Sequence, residues 1–486
     1  MARTRPSYAG LTPPWHPGEA FPELGGKAVA SSAAGNPVYA AVRDSLRALG
    51  LDAGRFGGDT WNPLGELVEP GGRVVLKPNF IRHWNPSPGG SLDSVVTHGS
   101  LLRAMADYAF LAAGVSGSVV VAEAPQHDCD WSEISRCAGL DELVRYYEES
   151  LGRELEVIDL RREAVRYEDA VIVERRELPG DPLGYRLVDL GSRSAFEGSR
   201  LDARRFRGAD YDAQPTTENH SGGHHRYLLS ETVLAADLVV NLPKLKTHKK
   251  TGVTLALKNL VGINGDKNLL PHHCIGSETE GGDEYPGDHM VDRARSMATE
   301  VARGLLKRGL GTGLARRVRL IEKRLRGDDF VRAGNWWGNR TTWRMCLDLN
   351  RIFYYSDAGG EHWDAPAPVR RALTVCDGVV AGEGEGPLAP DDRPLGVVLA
   401  AIDPIALDLA ALRLMGFDER LVPKIWEAIS GDTLRVTGVR SAGDVRVFEV
   451  LDTGIEEREL QELEAAVPFR AHSGWRGHVE ATSCAA

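Results

Sequence analysis

No two of the six cysteines stand in a C-x-x-C pair; Cys129, Cys137, Cys274, Cys346, Cys376 and Cys484 are scattered over 486 residues. That scatter speaks against a zinc ribbon, a ferredoxin-type cluster and a disulfide scaffold, and reads most of these thiols as small buried hydrophobes. No stretch approaches the roughly 18 apolar residues of a membrane span. The opening MARTRPSYAGLTPPWHPGEAF has no apolar signal-type run, so a cytoplasmic location is expected. Nucleotide signatures are missing too. Gly382, Gly384 and Gly386 alternate and run into Pro387, which is not a dinucleotide fingerprint. GINGDKNL (262–269) lacks the spacer and the Gly-Lys-Ser/Thr ending of a phosphate loop, and no G-x-S-x-G elbow occurs. NAD, ATP and an iron–sulphur cluster therefore have no support as cofactors, and neither does serine hydrolysis.

What is present is a local reversal of charge. The chain carries a formal −11, yet Asn241 to Asn268 holds six lysines (244, 246, 249, 250, 258, 267) against one acid, Asp266. A short cation cluster in an acidic protein suits a compact anion better than a polyanionic backbone, so nucleic acid is not expected. Asn241, Thr247, His248, Thr251 and Asn259 interleave with the lysines, and glycines at 252, 262 and 265 allow close backbone approach. A merely solvated loop has no need of them.

Short apolar runs that end in polar residues recur at 73–79, 118–125, 155–161, 237–244, 372–380 and 397–404. Helical spacing separates several of them, as at Asn36 to Leu51, Ser100 to Ala113 and Glu142 to Leu151. This alternation predicts an α/β fold, a mainly parallel sheet with helices on both faces. The expected organisation is an N-terminal wrapping arm with one helix (1–70), an α/β domain carrying the lysine-rich site (71–290), a basic helical insertion (291–355), a second α/β portion completing the site (356–470) and a flexible tail (471–486). In open parallel sheets ligands bind at the carboxyl ends of strands. Those ends supply Lys77, Asn79, Glu123, Gln126, Asn241, Lys244, Asp377 and Asp403. Asp403-Pro404 reads equally as a helix cap followed by proline at the first helical position.

Residues 292–327 hold eleven arginines and lysines against three acids, with apolar residues at helical spacing around Gly309, Gly311 and Gly313. This is a basic amphipathic pair of helices: a solvated face, or a peripheral contact with an anionic membrane surface. Seven of the fourteen histidines fall within 220–289. His220, His224 and His225 in one loop and Glu383 in another offer nitrogen and oxygen ligands suited to a divalent metal such as zinc, manganese or iron. Neutral histidines that orient a ligand explain the cluster as well, so both readings stay open.

VVLKPN, NLPKLKTHKKTGVTLALKNLVG, DGVVAGEGEGP and AIDPIALDLAALRLMGF occur in the order that resembles the family known as domain of unknown function 362, from about Arg73 to Asp418. Some members carry appended ferredoxin-type cysteine motifs, which this chain lacks. The longer form, with NPVYAAVRDSLRALGLD, APQHDCDW and GDKNLLPHH, is similar to members that sit among surface-polysaccharide genes. The resemblance implies an α/β fold and little chemistry.

The leading expectation is an enzyme acting on a small anionic metabolite, a phosphorylated or carboxylated sugar-like substrate, by metal-assisted proton transfer such as isomerisation or epimerisation. Lys77, Lys244, Lys246 and Lys258 would neutralise the anion, and Asn79, Asn241, Thr247, Thr251 and Asn259 would orient it. His248 would move the proton, with Glu383 and Asp403 as opposing acid/base groups or metal ligands. The alternatives are a non-catalytic binding or assembly protein for a glycan precursor, and a metal-centred oxidoreductase. Oligomeric state is not legible.

Overall fold

The computed structural model describes residues 1–25, 35–168, 171–287, 289–308, 310, 313, 333–463 and 467–481. Its centre is an 11-stranded sheet. In chain order the strands are β1 (Ala2–Arg3), β2 (Arg73–Pro78), β3 (Ser118–Glu123), β4 (Leu155–Asp159), β5 (Leu238–Leu242), β6 (Lys244–His248), β7 (Gly252–Val253), β8 (Ala372–Glu385), β9 (Ala389–Ala401), β10 (Arg446–Leu451) and β11 (Gly454–Glu459). They lie in the order β11-β10-β1-β9-β8-β5-β2-β3-β4, with β6 pairing to β8 and β7.

Val74 to Leu76, Val119 to Val121 and Leu238 to Val240 are buried on both faces of the sheet, which is why these strands read as continuous apolar runs. The pleat still divides them. Val74, Leu76, Val119 and Val121 join the helices Pro37–Ala48 and Gly99–Ala113 in one core. Val75, Val120 and Val239 join the helices Thr342–Tyr354 and Pro404–Met415 in the other. The α/β expectation therefore holds. The ladders β8-β5-β2-β3-β4 are parallel. The remainder is mixed, because β8 and β9 form one long antiparallel hairpin and β1 lies antiparallel to β9.

The strands expected in separate α/β portions are neighbours, with Asn241 of β5 opposite Thr374 of β8. Thr342–Tyr354, expected within a basic insertion, is instead a buried helix of the core. Of the basic helical pair, the first helix is Met290–Lys307, and residues 314–327 lie outside the described residues, as do Gly309, Gly311 and Cys484. Residues 471–481, expected as part of a flexible tail, pack down: Trp475 is buried and its indole donates to Lys249 O at 2.9 Å.

Candidate functional site

The parallel register sets Lys77 of β2 beside Asn241 of β5, while β3 ends at Glu123 in the adjoining strand. Beyond β5 the chain continues into β6, whose alternation sends Lys246 and His248 one way and Leu245 into the apolar core. The short helix Leu255–Asn259 follows, its first amides held by the buried carboxylate of Asp408, with Ala256 N–H donating at 2.7 Å. It delivers Lys258 and Asn259.

These elements enclose a cavity of about 310 Å³. Among the described residues it is lined by seven cationic side chains (Lys77, Lys246, Lys249, Lys250, Lys258, Lys267, Arg303), four histidines (His127, His248, His272, His273) and one carboxylate, Glu123. Tyr167, Gln126 and Pro387 are also in its wall.

A chain of buried hydrogen bonds fixes one side. Lys77 Nζ is bonded to Glu123 and donates to Pro78 O at 2.9 Å. Asn259 Oδ1 accepts from Asn79 Nδ2 at 2.7 Å, and Asn259 Nδ2 donates to Asn241 Oδ1 at 2.7 Å. Lys246 Nζ donates to Asn79 Oδ1 at 2.8 Å and to Val95 O. Lys267 Nζ donates to Ala124 O at 2.6 Å. Lys258 Nζ has no hydrogen-bond or ion-pair partner among the described residues. His127 Nδ1 and Thr254 Oγ1, both buried in the wall, are likewise unpartnered. Gly262 closes the Lys77–Glu123 corner: a Cβ there would stand 1.8 Å from Glu123 Oε1 and 2.5 Å from Lys77 Nζ.

Burial disfavours charge on Lys77, Lys246, Lys250, Lys258 and Lys267, and repulsion between neighbouring lysines adds to it for all of these but Lys258. Lys246 is pushed well below its ordinary range by desolvation and then by Lys244 and Lys258. Lys250 falls to about 7 through desolvation and the neighbouring Lys249, and Lys267 to about 7 chiefly through desolvation. Desolvation also lowers Lys77 and Lys258, although the Glu123 carboxylate opposes it. His127 and His272 drop to about 3, and His248 and His273 lie well below the usual histidine value, all primarily by desolvation. The imidazoles are therefore neutral at pH 7. His248 Nδ1 accepts from Lys250 N–H at 3.1 Å, which leaves the proton on Nε2 and makes this ring a hydrogen-bond donor to the cavity rather than a base. His272 is the opposite tautomer, since Nδ1 lies 2.8 Å from Leu270 O and must carry the proton, leaving Nε2 with its lone pair.

Of the residues picked out in the sequence, Lys77, Asn79, Lys246, His248, Lys258 and Asn259 meet at the cavity. Asn241 stands behind it, holding Asn259 and donating to Ala256 O at 3.0 Å. Lys244 is directed elsewhere, its ammonium 3.0 Å from Asp377 and bonded to Tyr8 Oη at 3.1 Å, all buried. Thr247 and Thr251 spend their hydroxyls on Gly384 O and Val253 O. Glu383 is not among the lining residues; it accepts from Arg470 N–H at 3.1 Å, and its neighbour Glu385 accepts from Ser473 N–H at 3.0 Å. The acids of the β8–β9 hairpin thus anchor the C-terminal segment. Asp403 is a helix cap, accepting from Ile405 N–H, Ala406 N–H and Thr437 Oγ1.

Of the suggested metal ligands only His220 and His225 lie together, their ring centroids 5.7 Å apart. His220 Nε2 bonds to Leu269 O inside an aromatic cluster, His224 pairs with Asp189, and His225 stacks on Phe196. Among the described residues no three His, Cys, Asp or Glu side chains group closely enough to hold a metal ion.

Sequence reasoning did not select His127, Lys249, Lys250, Lys267, His272, His273 or Arg303 for the site. The first follows a strand end that had been noticed, and the next five sit within or beside the lysine-rich block. Arg303 arrives on the Met290–Lys307 helix, and nothing in its local spacing marks it.

The arrangement defines an α/β protein whose parallel strand ends and following loops build a buried cavity of lysines and histidines. The chain belongs to the family described as "Domain of unknown function (DUF362)", whose model matches residues 157–413, more than half of its length. It is also similar to "Thylakoid-associated protein sll1697" of Synechocystis sp., 23% identical over 219 residues, which is 45% of this chain and 43% of that protein. The chain thus spans less than half the length of this curated relative. No solved structure matches. No helix among the described residues is long and apolar enough to cross a membrane.

Proposed function

We propose that the protein is an enzyme that moves a proton on a small phosphorylated or carboxylated metabolite held in this cavity, as an isomerase or epimerase does. One observation carries the reading: Lys77, Lys246, Lys250, Lys258, Lys267 and four histidines surround the space, while the single carboxylate among the described lining residues is already joined to Lys77. So many like charges are costly unless an anion balances them. Lys246 and Lys258 would neutralise that anion, and Asn79 and Asn259 are fixed so as to orient it. His248, with Nε2–H available, would donate to an oxygen on which charge accumulates. The proton would be taken and returned by Lys250 or Lys267, both titrating at about 7. A cytoplasmic setting suits Cys129, Cys274, Cys346 and Cys376, which are free thiols.

A second reading, a non-catalytic holder of the same anion, draws on the same ion pair, because Glu123 is not left over as a carboxylate base. Native mass spectrometry of the purified chain identifies a retained anion, and calorimetric titration with pyrophosphate, phosphate and citrate measures the site. Binding lost in Lys246→Met supports the reading, and binding unchanged in it sinks the anion site. With the retained metabolite as substrate, a His248→Gln variant that binds normally but does not turn over favours the enzyme; wild-type protein with no turnover favours the holder.

A further inference from the structure

The helix Met290–Lys307 turns several polar side chains inward and several apolar ones outward. Three of its polar residues face the protein: Ser296 Oγ donates to Glu284 at 2.6 Å, Glu300 pairs with Arg207 at 2.5 Å, and Arg303 enters the cavity wall. Four of its apolar side chains face outward, Met290 86%, Val291 60%, Met297 67% and Val301 65% exposed, while Leu305 and Leu306 near its end are half-buried. Met290, Met297 and Val301 recur at the spacing of one helical stripe. Large exposed apolar side chains aligned this way mark a contact surface.

The charges around the stripe indicate its occupant. Within 289–308 there are five arginines and lysines (293, 295, 303, 307, 308) and two acids (292, 300), a net +3. Over 292–327 eleven basic residues oppose three acids, a net +8 in a chain of −11. An exposed apolar stripe on a helix of net positive charge that is unable to span a bilayer is the pattern of a helix that lies in a lipid interface. We propose that the outer face of Met290–Lys307 docks on an anionic bilayer surface. A helix with its side chains is about 10–12 Å across, so docking holds the Arg303 wall of the cavity within that distance of the headgroups.

The test is co-sedimentation of the full chain with vesicles of phosphatidylglycerol and phosphatidylcholine, and with vesicles of phosphatidylcholine alone. The expected result is binding to the anionic vesicles only, weakened by salt, and about tenfold or more weaker in Met297→Glu/Val301→Glu. Far-UV circular dichroism and pyrophosphate titration of the variant confirm an intact fold and cavity; if it misfolds, Met297→Gln/Val301→Gln replaces it, with the same direction expected. Wild-type protein that stays in solution with both vesicle types overturns the proposal, as does a folded variant that binds like wild type. A dimer in sedimentation velocity that the variant dissociates, without vesicle binding, assigns the face to a second copy of the chain instead. Because pyrophosphate titration reads the cavity separately, failure of lipid docking leaves the anion site standing.

Discussion

The ammonium of Lys77 and the carboxylate of Glu123 are joined between neighbouring strands β2 and β3, both buried, at a corner where glycine at 262 leaves them room. Breaking a buried pair strands a charge, which costs about 3–5 kcal/mol, so Glu123→Gln should lose stability on that scale. Gly262→Ala should cost about 1–3 kcal/mol by crowding the same corner. Urea unfolding of each variant measures this; wild-type stability in Gly262→Ala would show that the corner can relax.

Lys258 is expected to behave in the opposite sense. Its ammonium has no partner to lose among the described residues, so Lys258→Met should leave the thermal midpoint equal or higher. Affinity for pyrophosphate should meanwhile fall by about tenfold to a hundredfold, the scale of one charge-assisted contact. Calorimetry and thermal denaturation on one sample separate the two effects.

Protons should enter with the anion. Lys250 and Lys267 titrate at about 7 in the fold against an ordinary 10.5, so between those values the unfolded chain holds protons that the folded chain does not. Stability of the ligand-free protein from these groups is present above about 10.5 and declines as pH falls towards 7. His127 and His272, lowered from 6.5 to about 3, withdraw further stability as pH falls from 6.5 towards 3. A bound anion favours the charged lysines, so pyrophosphate binding at pH 7 should take up protons. It should also weaken as pH rises above about 7, by up to about tenfold per unit for each lysine involved. Titrations in buffers of different ionisation enthalpy report the uptake directly; zero uptake would mean that the lysines are already charged.

Asp403→Ala should cost about 1 kcal/mol, the usual worth of a helix cap, and leave pyrophosphate affinity unchanged. Reduced affinity at unchanged stability would return Asp403 to the site.

Much of the frame was readable because buried parallel strands and capped helices leave local patterns. Arg73–Pro78, Ser118–Glu123, Leu155–Asp159 and Pro404–Met415 appear where their apolar runs, and in the last case the Asp-Pro start, indicated. The lysine block likewise led to Lys246, His248, Lys258 and Asn259. What spacing does not record is which partner a polar side chain finds. Lys244 and Lys246 are two residues apart on the same strand, yet the first is bound to Asp377 and the second lines the cavity. Glu383 resembled a site acid until Arg470, 87 residues later, proved to be its partner. Arg303 enters from a helix that turns Ser296 and Glu300 inward while Met290 and Met297 stay exposed, against the usual amphipathic sense.

The small strand β1 has a consequence for how the molecule is made. Ala2 lies between Val398 of β9 and Val450 of β10, so this strand waits for neighbours that leave the ribosome about 400 and 450 residues after it. At about 5–20 residues per second, the ribosome needs roughly twenty to ninety seconds to supply that second neighbour. Until then the nascent chain carries an open sheet edge, so cells that make this protein faster than its late strands can dock should accumulate it in aggregates, and slower translation at low temperature should recover it.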